Sequence, residues 1–310
     1  MKNLSVKFTT IASALLLVVA VGCQNKETTK EVVEVEEVKE VKKAPARVAA
    51  PAPSPAASLE QKVGLTDVTV VYSRPAMRGR TIFGNLVPYN KVWRTGANAN
   101  TTVEFSTDVM ISDKNVPAGK YALYTKPNEK NWEVMLYSKN DNWGNPKEWD
   151  ESKIVASAVV DVVKMPMNIE SFTISVDDLT NNSAVLGIMW EDVYVGLPFS
   201  VPTDKAVMAS IDEVMKGEPN ARAYYDAAVY YKTADKDINQ AVTWIDKAIE
   251  MTNEDPKFWM LRQQSLIHAK AGKTETAIAA AKKSLELAEK AGNTDYVKMN
   301  KDSLKEWGAM

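Results

Sequence analysis

Arg74, Arg78, Arg80 and Arg94 fall in two neighbouring segments, YSRPAMRGRTIFG (72–84) and VPYNKVWRTGANANTTVEF (87–105), beside Trp93 and the run Gly96-Ala97-Asn98-Ala99-Asn100. A guanidinium presents a planar fork of donors that matches carboxylates, phosphates and sugar hydroxyls. Trp93 and Tyr89 add flat faces for stacking, Gly96 permits a sharp backbone turn, and Asn98 and Asn100 can both donate and accept. Two readings follow. Either two adjacent loops form a site for a polar ligand, or the arginines form an internal framework. In the second, Arg78 or Arg94 pairs with Glu104, Asp108 or Asp161 while the asparagines cap turns.

A second cluster, NDNWGNPKEWDE (140–151), sets Trp143 and Trp149 around Gly144, Asn145 and Pro146, which places them in a loop. Such tryptophans serve either as a carbohydrate platform or as lids folded over the core. Asp141, Glu148, Asp150 and Glu151 lie nearby, and glycoside hydrolysis needs a carboxylate pair, but the spacing of such a pair is a property of the fold. The chain has one histidine, His268, and one cysteine, Cys23. An internal disulfide and a two-histidine metal site are therefore excluded, and a Ser-His-Asp arrangement could run only through His268, on a helix far along the chain. Neither a nucleophile elbow, a phosphate-binding glycine loop nor metal-ligand spacing is present. No catalytic residue, metal or cofactor is expected, and the candidate ligand-binding set is Arg74, Arg78, Arg80, Trp93, Arg94, Asn98, Asn100 and Trp143.

The 310 residues suffice for about two domains, and the net charge of −2 gives no field that would recruit nucleic acid. Residues 1–23 read as a secretory signal: Lys2 and Lys7, the apolar IASALLLVVAV, then Ala20-Val21-Gly22-Cys23. Small residues before a cysteine resemble the bacterial lipoprotein signal, with Ala20 standing where leucine is usual. The resemblance implies that Cys23 is acylated, becomes the mature N-terminus and anchors the protein to a membrane. By the same resemblance Gln24, in place of aspartate, favours the outer membrane, facing the periplasm or the cell surface.

Residues 24–57 mix KEVVEVEEVKEVKK with the Pro/Ala-rich APARVAAPAPSPAA and read as a disordered tether. At about 3.1 Å per residue it could reach on the order of 100 Å. From residue 58 to 202 the pattern becomes short β-like runs, VTVVYS, TTVEFS, DVMIS, KYALYT, WEVMLYS, IVASAVVDVV, IESFTISV and SAVLGIMWEDVYVGLPFSV, divided by turn chemistry at Asp113-Lys114-Asn115, Pro127–Asn131 and Asp177–Ser183. An antiparallel β-sandwich is expected.

The ordered motifs YSRP, RGR, IFG, LVPY, VWRTGAN, PAGKY and NWG resemble a bacterial domain family of unknown function, number 2911 in its naming series, over about residues 60–200. The resemblance implies a secreted or periplasmic β-rich domain of the kind common in Bacteroidetes-type bacteria, and implies no activity. Ala97-Asn98-Ala99-Asn100 stands where that family often carries a glutamate.

Past Pro202 the period becomes helical. Thr203 is placed to cap a helix that Gly217 stops, and Asp255-Pro256 reads as a cap followed by a first-turn proline. DINQAVTWIDKAIEM (237–251) aligns with KTETAIAAAKKSLEL (273–287), Ala241 on Ala277 and Ala248 on Ser284. With helices near 220–234, 256–271 and 294–307, residues 203–310 look like a short tetratricopeptide-like α-helical repeat domain, a class that commonly holds protein segments. The expected fold is thus multidomain, an antiparallel β-sandwich followed by helical repeats. The expected function is a lipid-anchored envelope protein that binds or scaffolds, with an envelope protein as partner. The alternative is glycan or peptidoglycan recognition, with hydrolysis open, by the β domain.

Overall fold

A computed structural model describes residues 48–310; the signal segment, its Cys23 and most of the expected tether lie outside the described residues. Ten strands come first: β1 (Ala56–Val63), β2 (Thr66–Ser73), β3 (Thr102–Phe105), β4 (Val109–Ile111), β5 (Lys114–Val116), β6 (Gly119–Pro127), β7 (Asn131–Tyr137), β8 (Ile154–Asp161), β9 (Val163–Asp177) and β10 (Ser183–Ser200). Six helices follow: α1 (Thr203–Met215), α2 (Ala221–Thr233), α3 (Ile238–Met251), α4 (Phe258–Lys270), α5 (Thr274–Lys290) and α6 (Thr294–Glu306).

One sheet has the order β1-β2-β3-β6-β7-β8 and the other β5-β4-β10-β9, with every pairing antiparallel. Period-two alternation drives the packing: along β2, Val68, Val70 and Tyr72 are buried while Asp67 and Val71 face outward. Val70, Leu123 and Leu136 from the first sheet meet Phe172, Leu186 and Leu197 from the second in one core, the arrangement of a β-sandwich. Pro166 is accommodated because β9 is an edge strand.

Two expectations about the β region change. The tether was expected to run to residue 57, yet β1 begins at Ala56 and pairs in full register with β2. Lys114-Asn115, read as part of a turn, forms the short strand β5 against β4.

The helices pack in sequence order, α2 on α3, α3 on α4, α4 on α5 and α5 on α6, and α4 also meets α2 and α6. Positions matched by the internal repeat are buried alike: Ala241, Ala277, Ala248 and Ser284 are all fully inaccessible. Asn220, Asp237 and Asn293 cap α2, α3 and α6 through their side chains. Thr203 does not cap α1. Pro202 holds that position, and the Thr203 hydroxyl accepts a hydrogen bond from the Leu65 amide instead (3.3 Å). Nor do Asp255 and Pro256 start α4, whose cap is Lys257 with no side-chain bond.

The Leu65–Thr203 contact seats α1 on the β1–β2 turn, where Gly64 has φ 56°. From the β9–β10 turn, the Asn182 side chain accepts from the Asp204 amide (3.2 Å). Asp204 in turn accepts from the Tyr230 hydroxyl (2.9 Å) and from Lys236 (2.9 Å), tying α1 to α2 and the segment beyond it. Burial, then the hydrogen bond and the charge of Asp204, push Tyr230 up to about 12. Tyr194, on β10, is pushed up to about 12 by burial and by neighbouring Asp177, whose carboxylate it donates to. A phenol whose folded pKa is raised contributes stability that is complete below its ordinary value of 10.0 and disappears as pH climbs through about 12. Urea unfolding followed across that interval should show a falling free energy, and Tyr194→Phe with Tyr230→Phe should flatten the fall. An unchanged slope in the double variant would refute the assignment.

Candidate functional site

The strand β6 explains how the arginine loops are built. Its residue Ala122 faces Thr102 of β3, but Thr125 faces Trp93, with both Trp93–Thr125 backbone bonds made (2.7 and 2.9 Å). Trp93 therefore continues the position of β3 in the sheet, and the intervening GANAN segment is pushed out as a loop. The distortion is recorded in the backbone: Thr95 (φ 54°) and Asn98 (φ 60°) are left-handed. For a β-branched residue this is a true outlier. Thr95 is held there, fully buried, by bonds from its hydroxyl to Thr125 Oγ1 (3.1 Å) and from the Thr101 hydroxyl to its carbonyl (2.5 Å).

Trp93 packs at the centre of an aromatic cluster. It stacks on Trp190 (6.1 Å, 17° between planes) and meets Phe172 edge-on (5.3 Å), while Phe83 meets Trp132 (4.8 Å). Trp190 donates its indole N–H to the Glu170 carbonyl (3.2 Å).

Above this cluster opens a cavity of about 420 Å³, whose lining includes Arg78, Arg80, Trp93, Arg94 and Trp190. Four of the eight candidate ligand-binding residues thus converge: Arg78, Arg80, Trp93 and Arg94. Arg74 does not line it, and instead donates to the Phe172 carbonyl (3.0 Å) and to Thr173 Oγ1 (2.7 Å), fastening β2 to β9. Asn98 donates to the Ser54 carbonyl (3.1 Å) and Ser73 Oγ (3.3 Å), and Asn100 is buried against Asn142 (3.2 Å).

The expected pairing of Arg78 or Arg94 with Glu104, Asp108 or Asp161 is not formed. Among the described residues the arginine that enters an ion pair is Arg222, with Asp226. Asp108 is spent on the Ala118 amide (2.9 Å) and on the side chain of Asn115 (3.5 Å). The carboxylates that do touch the arginine loop are spent on backbone: Glu170 accepts from the Arg78 amide (2.9 Å), and Glu191 from the amides of Ile82 (3.4 Å) and Phe83 (3.2 Å). The guanidinium groups bond neutral carbonyls, Arg78 to Pro53 (2.8 Å) and Arg80 to Met77 (2.8 Å) and Ala76 (2.6 Å). Nε of Arg94 is buried without a protein partner.

Residues 54–199 match the family model described as Protein of unknown function (DUF2911). No curated protein and no solved structure matches the chain. The matched region takes in both sheets up to Phe199 and every residue lining the cavity except Pro53.

Within the DUF2911 region the two loop tryptophans divide the roles considered for them. Trp149 is a lid: it stacks on Tyr137 (4.7 Å, 23°) and meets Tyr124 edge-on (5.2 Å). Trp143 is 76% exposed and covers no core. Asn142 donates to the Tyr124 hydroxyl (3.1 Å) and the Gly144 carbonyl (2.8 Å), and Asn145 to the Val92 carbonyl (2.7 Å), so this loop is bolted to the segment that carries Arg94. Trp143 lines a separate surface depression of about 540 Å³ with Lys139, Lys147 and Lys153.

Residues that sequence reasoning passed over include Trp190, Asn142 and the strap Pro53-Ser54. Trp190 sits inside a long apolar strand and carries no local mark of a site, whereas Asn142 stood in a cluster noticed only for its tryptophans. His268 is buried between Asp246 (2.8 Å) and Thr276 (2.6 Å), a bridge joining α3, α4 and α5. Among the described residues no group of three or more potential ligands could hold a metal ion, and no helix is long and apolar enough to cross a membrane.

Proposed function

We propose that the protein is a cell-envelope lipoprotein that works by binding, with a ligand site in the β domain and a protein-contact surface on the helices. The observation that carries this reading is the cavity in which Arg78, Arg80 and Arg94 meet above Trp93 and Trp190 with no carboxylate partner. Pockets of this size receive small molecules, oriented by a few polar groups over an apolar floor. The signal ending in Cys23 supplies the anchor in this reading and places the protein at the outer membrane. Membrane fractionation tests that part: Cys23→Ser should release the protein, and retention of the variant would refute the lipid anchor.

A scaffolding role rests on the helices. Their stepwise packing and the burial shared by repeat-equivalent positions suit tetratricopeptide-like repeats. A groove of about 680 Å³ lined by Tyr224, Trp244, Asp246 and Lys247 offers the contact surface. A photo-crosslinker at Lys247 of the full chain should capture a specific envelope protein, and one at Lys298 should not. Equal capture at both positions would remove this part.

Glycan recognition is favoured by one observation, the exposure of Trp143. Trp143→Ala is expected to change unfolding free energy by no more than about 0.5 kcal/mol, as a surface substitution does, while removing retention on an envelope-polysaccharide column. Undiminished retention would dismiss the platform.

A further inference from the structure

We propose that the occupant of the arginine cavity is a small organic molecule of about one ring that carries an oxyanion, a carboxylate or a phosphate monoester. This rests on the reading of the cavity as a ligand site and gives that ligand its chemical class.

The argument is one of charge. Arg78, Arg80 and Arg94 line one cavity, and a guanidinium is a cation. Like charges gathered around one cavity favour an anion there, to an extent that water and salt reduce at the exposed Arg78 and Arg80. No carboxylate lines the cavity, and Glu170 and Glu191, the carboxylates that touch the arginine loop, bond backbone amides and not a guanidinium. Each guanidinium has five N–H donors. Arg80 commits Nε and Nη2, Arg78 commits Nη2, and Nε of Arg94 has no protein partner, so donors remain for a ligand. An arginine fork over an apolar wall is the arrangement that fits a planar carboxylate or a phosphate bidentately.

The floor and the volume set the rest. Trp93 and Trp190 are nearly buried, at 9% and 2% exposure, and both line the cavity. With Pro75, Leu86 and Val87 they give the recess an apolar wall, which suits the carbon frame of a ring and gains little from a bare inorganic ion. A cavity of about 420 Å³ holds one such ring with its charged group.

The test titrates the full chain with D-glucuronate, glucose 6-phosphate and glucose by calorimetry, with the indole N–H resonances of Trp93 and Trp190 read in parallel. At least one anion should bind about tenfold or more tightly than glucose and shift both indoles. Whichever anion binds more tightly identifies the carboxylate or the phosphate as the natural group. Arg80→Gln and Arg94→Gln should each weaken the anion about tenfold, and Lys130→Gln should leave it unchanged. Arg80→Lys, which keeps the charge and loses the fork, should fall between. Should Arg94→Gln fail to fold, Arg80→Gln at an exposed position carries the test. Glucose binding as tightly as the anions, with both indoles shifted, would overturn the oxyanion class and leave the cavity as a ligand site. No heat and no indole shift with any of the three would overturn both.

Discussion

Trp190→Ala is expected to destabilise the β domain by about 3–5 kcal/mol, the range for truncating a buried tryptophan. That is a large share of the roughly 5–15 kcal/mol that holds a typical domain folded. Three losses combine. The ring is 2% exposed and leaves a cavity that its neighbours fill only in part. Its stack on Trp93 and edge contacts with Phe83 and Phe172 disappear together. The Glu170 carbonyl loses the indole N–H it accepts. Because Glu170 also holds the Arg78 amide, the arginine loop should loosen along with the core. Urea denaturation monitored by far-ultraviolet circular dichroism would measure the effect. A loss below about 1 kcal/mol, the size of an average substitution, would mean that the aromatic cluster is not what positions the cavity.

Gly64→Val is expected to be nearly as damaging, and to act at the junction between the sandwich and the helices. A left-handed conformation costs a residue with a Cβ about 1–2 kcal/mol, and Gly64 has φ 56°. A Cβ there would also overlap Asn181 O, a backbone atom, and Thr203 Oγ1. Overpacking of this sort adds about 1–3 kcal/mol. Relief requires the β1–β2 turn to withdraw from α1, which breaks the Leu65–Thr203 bond. Hydrogen exchange should show the added opening concentrated at residues 64–66, 181–183 and 203–206. A uniform loss of protection across the sandwich would contradict a junction effect. Thr203→Val, which removes the acceptor while keeping the shape, should reproduce the weaker part of the result.

The strands that were plain in the sequence were those with β-branched and aromatic alternation. VTVVYS buries one face, whereas KYALYT buries both, Tyr121 and Leu123 in the sandwich core and Ala122 and Tyr124 in a second cluster; both runs are strong strand formers whatever the loops do. β1 was hidden because Ala56–Val63 continues a Pro/Ala run and carries polar residues. Its pairing is dictated by β2, a long-range partner that no local window contains. Thr203 illustrates a different limit. A threonine before an apolar period has the chemistry of a cap, but its hydroxyl was claimed by an amide far away in the chain. The same holds at the site. The convergence of Arg78, Arg80, Arg94 and Trp93 was suggested by their proximity along the chain, whereas the tasks of Arg74, Asn98 and Asn100 are set by β9, the strap and Asn142. Which carboxylates would pair with the arginines was open to several assignments, and those that touch the arginine loop, Glu170 and Glu191, bond its backbone amides instead.

The strap ahead of β1 has a mechanical consequence. Three bonds hold it at the rim of the cavity: Arg78 to the Pro53 carbonyl, Asn98 to the Ser54 carbonyl, and the Arg74 amide to the Pro55 carbonyl. Pro53 and Ser54 are themselves part of the wall. Traction applied to the leading end of the described chain therefore reaches these bonds before it reaches the β1–β2 ladder. A few ångströms of yield there would alter the shape of the recess and set free the Arg78 donor that Pro53 holds.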